Sequence, residues 1–344
     1  MSEGSRLPLV SIIITSYNRA PWIDKAIQSS LAQDYANLEI IITDNCSTDN
    51  SDEVIRKYVA DPRIRYSRNE SNIGMLGNFK KGTNELAKGE YVLYVSSDDY
   101  LKDPGFISSA MDLFLNNPDM RLVFGKFATF NFHSGQDIQF YQSSLWDKRS
   151  WAGKDVFFQY PSNGFLCFGG CLFKRKDIID FNVFEMRHVN FDVECILKIM
   201  LLGDVGFTDK EAYVFIRHGD NQSGSMNMEA QLNKLTYIEE LYEFAGKQLG
   251  EAYGIRLLDW KDQILNNSIK GSLYFMKMHN SPIFKEFYSY IKKHYSRNYK
   301  MMARDLSWYT KIKISRKLLL FLYKKFKPSY YRQEFAGETQ QITG

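Results

Sequence analysis

Short apolar runs alternate with helical periodicity through the first half of the chain. The β-branched stretch LVSIIITSY (9–17) has strand length, and PWIDKAIQSSLAQ (21–33) repeats apolar residues at Trp22, Ile23, Ala26, Ile27 and Leu31, a helical spacing. LEIIITD (38–44) predicts a second buried strand, and SDEVIRKYVAD (51–61) a helix with Ser51 as its cap. IRYSRN (64–69) predicts a short third strand, GNFKKGTNELAKG (77–89) a helix ending at Gly89, and YVLYVSS (91–97) a fourth strand. Strands that are apolar throughout and alternate with helices predict a parallel sheet covered on both faces. In such sheets ligands bind beyond the carboxyl ends of the strands. Three polar clusters fall there, at 15–19, 44–49 and 96–99.

The middle of the chain mixes signals. FISSAMDLFLNNPD (106–119) predicts a helix stopped by proline, and RLVFGKFATFNF (121–132) and IQFYQ (138–142) predict strands. The glycine-rich NGFLCFGGCLFKR (163–175) predicts a loop entering a strand, FDVECILKIMLLG (191–203) a helix, and AYVFIRHGDNQSGS (212–225) a strand running into a polar loop. From about residue 228 the pattern is helical. The expected organisation is an α/β domain over 1–225 and a helical region over 226–344 ending in a basic amphipathic tail.

Composition adds limits. The 344 residues are 44% hydrophobic and 24% charged, an ordinary globular balance able to bury a sizeable core. No apolar window reaches membrane-span length, and the opening residues lack a signal-peptide pattern, so a cytoplasmic protein is expected. Cys46, Cys167, Cys171 and Cys195 have no completed zinc-ligand spacing and read as reduced thiols. Residues 285–332 hold fourteen basic and two acidic side chains, a charge of +12; because the chain carries +4, the remainder carries −8. Within this segment, 311–327 has seven basic residues, no acid and an amphipathic pattern. That fits docking on an anionic membrane surface, or packing on the body or a second copy of the chain. Nucleic acid is not an expected partner, because no binding motif accompanies the charge.

Candidate chemistry centres on YVLYVSSDDYL. Adjacent Asp98 and Asp99 repel each other, and both stay ionised if a divalent cation sits beside them. Hard carboxylate oxygens suit Mg²⁺ or Mn²⁺, which usually take their remaining ligands from phosphates and water. The alternative is a strand-end or helix-start cap, with Pro104 close behind. Asp192 begins a helix and is either a general base or a carboxylate favoured by the helix dipole. His218 is a metal or phosphate ligand or a structural histidine. Tyr17 stacks on a base or packs in the core, and Arg19 belongs to the site or is a solvated helix-start residue. No Walker or dinucleotide-binding glycine motif is present.

Taken in order, VSIIITSYNRAPWIDKAIQSSLAQ, LEIIITDNCSTDNS, NIGMLGNFKKGTNELAKGEYVLYVSSDDYL, FDVECILKIMLLGDVGF and IRHGDNQSGS resemble family 2 glycosyltransferases with the GT-A fold, of the bacterial surface-polysaccharide type. The resemblance spans about residues 8–225. It implies a Rossmann-like, mostly parallel sheet flanked by helices. It implies that Thr15 and Tyr17 line the nucleotide base and that Asp44 accepts from its N–H. Arg19, Asn72, Lys80, Asp98 and His218 would contact the donor. Asp98, Asp99 and His218 would hold Mn²⁺ or Mg²⁺, with Asp99 the more direct ligand, and Asp192 would be the general base. The implied reaction is inverting transfer of a sugar from a nucleotide-sugar donor, by default UDP-linked, to a saccharide or lipid-linked hydroxyl. The protein would then be peripheral on the inner face of the cytoplasmic membrane. Four positions depart from the usual pattern: Asn45, the stretch Asn78–Lys80, Ser96 and Phe191. A catalytically silent GT-A-like scaffold and, less favoured, a sugar nucleotidyltransferase are the alternatives.

Overall fold

The computed structural model describes residues 7–131, 136–141, 148–160, 167–186, 190–218 and 227–305, with isolated positions at 312, 318, 321 and 325. The chain divides into two compact units, Met1–Asp220 and Asn221–Gly344.

The first unit is built on one mixed sheet. Its elements are β1 (Val10–Ser16), α1 (Ile23–Leu31), β2 (Leu38–Asp44), α2 (Ser51–Arg56), β3 (Ile64–Arg68), α3 (Gly74–Lys81), β4 (Tyr91–Ser96), β5 (Tyr100–Leu101), α4 (Phe106–Asn116), β6 (Met120–Asn131), β7 (Gln136–Tyr141), β8 (Ser150–Ala152), α5 (Gly153–Gln159), β9 (Cys171–Lys174), α6 (Arg175–Asp180), α7 (Phe191–Met200) and β10 (Asp204–Arg217). The strand order is β3-β2-β1-β4-β9-β6-β10-β5, with β7 on β6 and β8 on β10. Strands β3, β2, β1 and β4 are parallel neighbours, as the apolar runs predict. β9 enters antiparallel between β4 and β6, and β10 runs parallel to β6.

The core follows from the sequence. Ile12, Ile14, Ile40, Ile42, Leu93 and Val95 face Ile23, Ala26 and Ile27 of α1 and Ile55 of α2 in one buried cluster. A second, aromatic layer joins elements distant in sequence. Phe79 of α3 stacks on Phe184 at 5.4 Å, Tyr94 of β4 stacks on Phe168 at 4.8 Å, and Phe191 of α7 meets Phe168 edge-on at 5.9 Å. Such ring pairs add about 0.5–1.5 kcal/mol each beyond their burial. Phe191, the departure beside the candidate base, therefore seats α7 on this cluster.

Several element boundaries differ from expectation. α3 begins at Gly74, and a π-helical turn, Gly82–Leu86, closes it before Gly89. Ser51 is the first helical residue and does not cap α2; its hydroxyl accepts from the Arg19 N–H at 3.0 Å. β10 starts at Asp204 rather than Ala212, because its polar first half is held in ladders with β6 and β8.

The second unit contains α8 (Met228–Leu249), α9 (Gly254–Met278), α10 (Phe284–His294) and α11 (Ser296–Ala303). Asn227 caps α8, its Oδ1 accepting from the Ala230 N–H at 2.8 Å. Leu235, Ile238 and Leu241 of α8 and Leu257, Trp260 and Ile264 of α9 are buried. Asp262, also buried, pairs with Arg297 at 2.9 Å. Among the described residues, no helix is long and apolar enough to cross a membrane. The basic segment 311–327 lies almost wholly outside the described residues, as does 219–225 of the predicted polar loop.

Candidate active site

The ladders bring the three polar clusters to one sheet edge. Ser16 at the end of β1 pairs with Asp44 at the end of β2, and Thr15 pairs with Ser96 at the end of β4. The loops leaving β1 and β2 are then tied together. The N–H groups of Asn18, Arg19 and Ala20 donate to Ser47 Oγ (2.9 Å), Ser51 Oγ (3.0 Å) and Asp49 Oδ2 (2.9 Å). Asn18 Oδ1 accepts from the Thr48 N–H at 2.7 Å. Asn18 and Cys46 take left-handed backbone, φ 52° and 64°, the sparsely populated region expected where chains turn sharply at sites. Burial pushes the Asp49 pKa up, but bonds from Ser51 and Ala20 outweigh it and hold the carboxyl below its ordinary value.

The two aspartates separate into different environments. Asp99 is 3% exposed and both oxygens are engaged: Oδ2 accepts from Tyr213 Oη and Oδ1 from the Ile216 N–H, each at 2.7 Å. Burial, and then the neighbouring Asp98 charge, raise Asp99 to about 8. Asp98 is more open. Its Oδ2 meets Arg19 Nε at 3.3 Å and His218 Nε2 at 3.0 Å, and the His218 ring stacks on Trp22 at 5.1 Å. The expectation that Asp99 is the more direct ligand thus meets a carboxylate whose oxygens already serve β10, whereas Asp98 faces the polar cluster.

Asp192 lies in the first turn of α7, and burial pushes its pKa above the ordinary range. The Cys167 thiol lies in the field of both Asp99 and Asp192; burial first, then those charges, push it up to about 12. All four cysteines are free.

The remaining candidates divide. Thr15 is half-buried at the sheet edge, and Tyr17, 40% exposed, stands just beyond it. Asp44 is fully enclosed, accepting from the Ser47 hydroxyl, from Arg68 Nε at 3.1 Å and from Tyr66 Oη at 3.4 Å. Asn72 is exposed and bonded to Asn45 at 2.7 Å. Lys80 is not brought to this cluster; it pairs with Glu185. Sequence reasoning missed Tyr213, Ser47, Arg68 and Cys167. Tyr213, Arg68 and Cys167 lie far in sequence from the aspartates they face, whereas Ser47 shares LEIIITDNCSTDNS with Asp44, and its hydroxyl just past the strand was the available signal.

A divalent cation fits this donor set. Asp98 offers a hard oxygen and His218 a ring nitrogen 3.0 Å from it, and a divalent cation would relieve the repulsion by which Asp98, after burial, raises Asp99. Among the described residues, no group of three His, Cys, Asp or Glu side chains is gathered for a metal. The protein would therefore supply few of the ligands, as is usual for Mg²⁺ beside phosphates.

A mixed sheet with polar clusters at the ends of β1, β2 and β4, acidic at the last two, is the GT-A architecture. The chain aligns with Staphylococcus aureus TarS 1–349 in complex with UDP-GlcNAc at TM-score 0.55 and 14% identity, covering 82% of this chain and 87% of that one. It also aligns with the mannosyltransferase PcManGT from Pyrobaculum calidifontis in complex with GDP-Man and Mn²⁺, at TM-score 0.52 and 15% identity over 90% and 86% of the two chains. Residues 11–181 match the model of glycosyl transferase family 2, and the chain belongs to that family. It is 40% identical over 94 residues to the Escherichia coli UDP-Glc:alpha-D-GlcNAc-diphosphoundecaprenol beta-1,3-glucosyltransferase WfaP, which covers 27% of this chain and 37% of that protein. The matched stretches span only 12% to 37% of such curated relatives.

Proposed function

We propose that this chain is an inverting, metal-dependent glycosyltransferase. It would pass a sugar from a nucleotide-sugar donor, by default UDP-linked, to a hydroxyl of a saccharide or lipid-linked acceptor in bacterial polysaccharide synthesis. The observation that carries this reading is the split of the strand-end pair: Asp98 lies among Arg19 and His218, while Asp99 is anchored on β10. Family membership and likeness to proteins that bind UDP-GlcNAc or GDP-Man support it.

Asp98 and His218 would hold Mn²⁺ or Mg²⁺, and Asp99 would fix the loop that presents Asp98. The cation supplies charge stabilisation to the departing diphosphate. Thr15 and Tyr17 would border the base, with Asp44 shaping the pocket through Ser47 and Arg68. Arg19 would turn from Asp98 to a phosphate oxygen. Asp192 takes the proton from the acceptor hydroxyl. The oxygen then bonds to the anomeric carbon as the bond to phosphate breaks, and the electron pair leaves with the nucleoside diphosphate. One displacement inverts the configuration. The raised Asp192 pKa suits a base, because a more basic carboxylate takes a hydroxyl proton more readily.

The domain boundary near residue 225 and attachment of the 311–327 segment to an anionic inner leaflet are part of the same reading. So is a cytoplasmic location close to a lipid-linked acceptor; pairing of two copies through the tail is the competing use. A silent scaffold is the second functional reading, favoured by the Arg19 guanidinium already pairing with Asp98. One assay decides between them. A panel of UDP-, GDP-, CDP- and dTDP-sugars is incubated with Mn²⁺ or Mg²⁺, and nucleotide release and product anomer are followed. Turnover lost in Asp192→Asn, with an inverted product, supports the enzyme. No turnover of any donor, or Asp192→Asn equal to wild type, rejects it.

A further inference from the structure

Backbone groups fix the orientation of a chain of asparagine amides beside the base side of the site. Asn45, 3% exposed, follows β2. Its Oδ1 accepts from the Ile73 N–H at 2.9 Å and from Asn69 Nδ2 at 3.0 Å. Its Nδ2 donates to the Gly74 carbonyl at 3.1 Å and to Asn72 Oδ1 at 2.7 Å. A main-chain N–H only donates and a carbonyl only accepts, so this amide can sit only one way round. Asn72 Oδ1 takes a second bond from the Gly74 N–H at 2.9 Å. The Asn72 oxygen is therefore used inside the turn, and its Nδ2 has no partner among the described residues. The far end is also fixed: Asn69 Oδ1 accepts from Lys81 Nζ at 2.8 Å, and Asn78 Nδ2 donates to the Thr43 carbonyl at 2.9 Å. Gly74 turns at φ +78°, a conformation that side chains rarely adopt.

The chemistry requires an amide at position 45. A carboxylate could accept from Ile73 and Asn69. It could not donate to the Gly74 carbonyl or to Asn72 Oδ1, and would face both oxygens with its own charge. The turn would then keep only the Ile73 bond to the β2 end, and Asn72 would lose its fixed orientation.

We propose that Asn45 is a positioning residue for the donor: it locks the 72–74 turn so that Asn72 offers its N–H₂ to an acceptor atom of the donor nucleoside. This rests on the nucleotide-sugar reading above. The test is calorimetric titration of the full chain with UDP, with and without Mn²⁺. Asn72→Ala weakens UDP about tenfold, the loss of one hydrogen bond, and lowers the melting temperature modestly, because Asn45 Nδ2 and the Gly74 N–H each lose an acceptor. Asn45→Asp weakens UDP by a similar factor although residue 45 is buried. The double variant binds no more weakly than Asn72→Ala, because Asn45 acts through Asn72. Multiplying losses in the double variant, or wild-type affinity in Asn45→Asp, overturns the proposal. If Asn45→Asp does not fold, unchanged UDP affinity in Asn72→Ala overturns it alone. A wild-type chain that binds none of UDP, CDP, GDP or dTDP removes the nucleotide-sugar reading as well, whereas wild-type binding with unaffected variants removes only this inference.

Discussion

Gly169 and Tyr213 offer a quantitative test of how the Asp99 anchor is built. The Tyr213 side chain is 2% exposed; its hydroxyl donates to Asp99 at 2.7 Å and accepts from the Ser96 N–H at 3.3 Å. Tyr213→Phe keeps the ring and removes both bonds, leaving a buried carboxyl oxygen and a strand-end N–H without them. The cost is about 2 kcal/mol, which lowers the melting temperature of a unit this size by about 4–8 °C. Gly169→Ala attacks the same anchor sterically. A Cβ there would meet Tyr213 Cζ at 2.3 Å, Cε2 at 2.4 Å and Oη at 2.8 Å. The ring is enclosed and held at its hydroxyl, so overpacking adds about 1–3 kcal/mol to whatever part of the Asp99 bond is lost. Gly169→Ala therefore costs at least about 1 kcal/mol. Because the removed hydroxyl is one of the clashing atoms, the double variant costs less than the sum of the two. Thermal and urea unfolding of the four proteins reads these values. A Gly169→Ala protein within about 0.5 kcal/mol of wild type, or strict additivity, would refute the described coupling of glycine, ring and carboxyl.

Other expectations concern chemistry and location. Activity should fall as pH drops through the Asp192 pKa, because the base works only when deprotonated; burial places that midpoint above the ordinary aspartate value, and a pH–rate profile that stays flat down to pH 4 contradicts the assignment. EDTA should weaken UDP binding at least tenfold, whereas Mn²⁺ without nucleotide binds poorly because few protein ligands are gathered among the described residues; Asp98→Asn should erase the Mn²⁺ enhancement of UDP affinity seen by calorimetry. Deleting 311–344 should release the protein from anionic liposomes in a flotation assay while UDP binding persists, and unchanged flotation would sink the membrane role.

The sequence made β1, β2 and β4 legible, because each is an apolar run of strand length that ends in a polar cluster, and α7 legible from its helical apolar pattern. β5 escaped notice, since Tyr100–Leu101 is too short to show any period and exists by pairing with β10. The reversed β9 was equally hidden, because strand direction leaves no mark on an apolar run. At the site, residue types were readable and surroundings were not. Asp98 and Asp99 are identical neighbours in the chain, and only the Tyr213 and Ile216 bonds, more than a hundred residues away in sequence, tell them apart. Lys80 shows the converse: a cation in a suggestive motif that settles on Glu185.

The side chains that stitch Asn18, Arg19 and Ala20 to Ser47, Ser51 and Asp49 bear on time as well as shape. Loops already tied to each other have little ordering left to undergo when a ligand arrives. Nucleotide capture on this edge should proceed as a single fast exponential in stopped-flow mixing, its rate linear in ligand concentration and without a slow second phase. Any lag in a turnover cycle would then belong to the acceptor, to product departure or to segments away from this pair of loops.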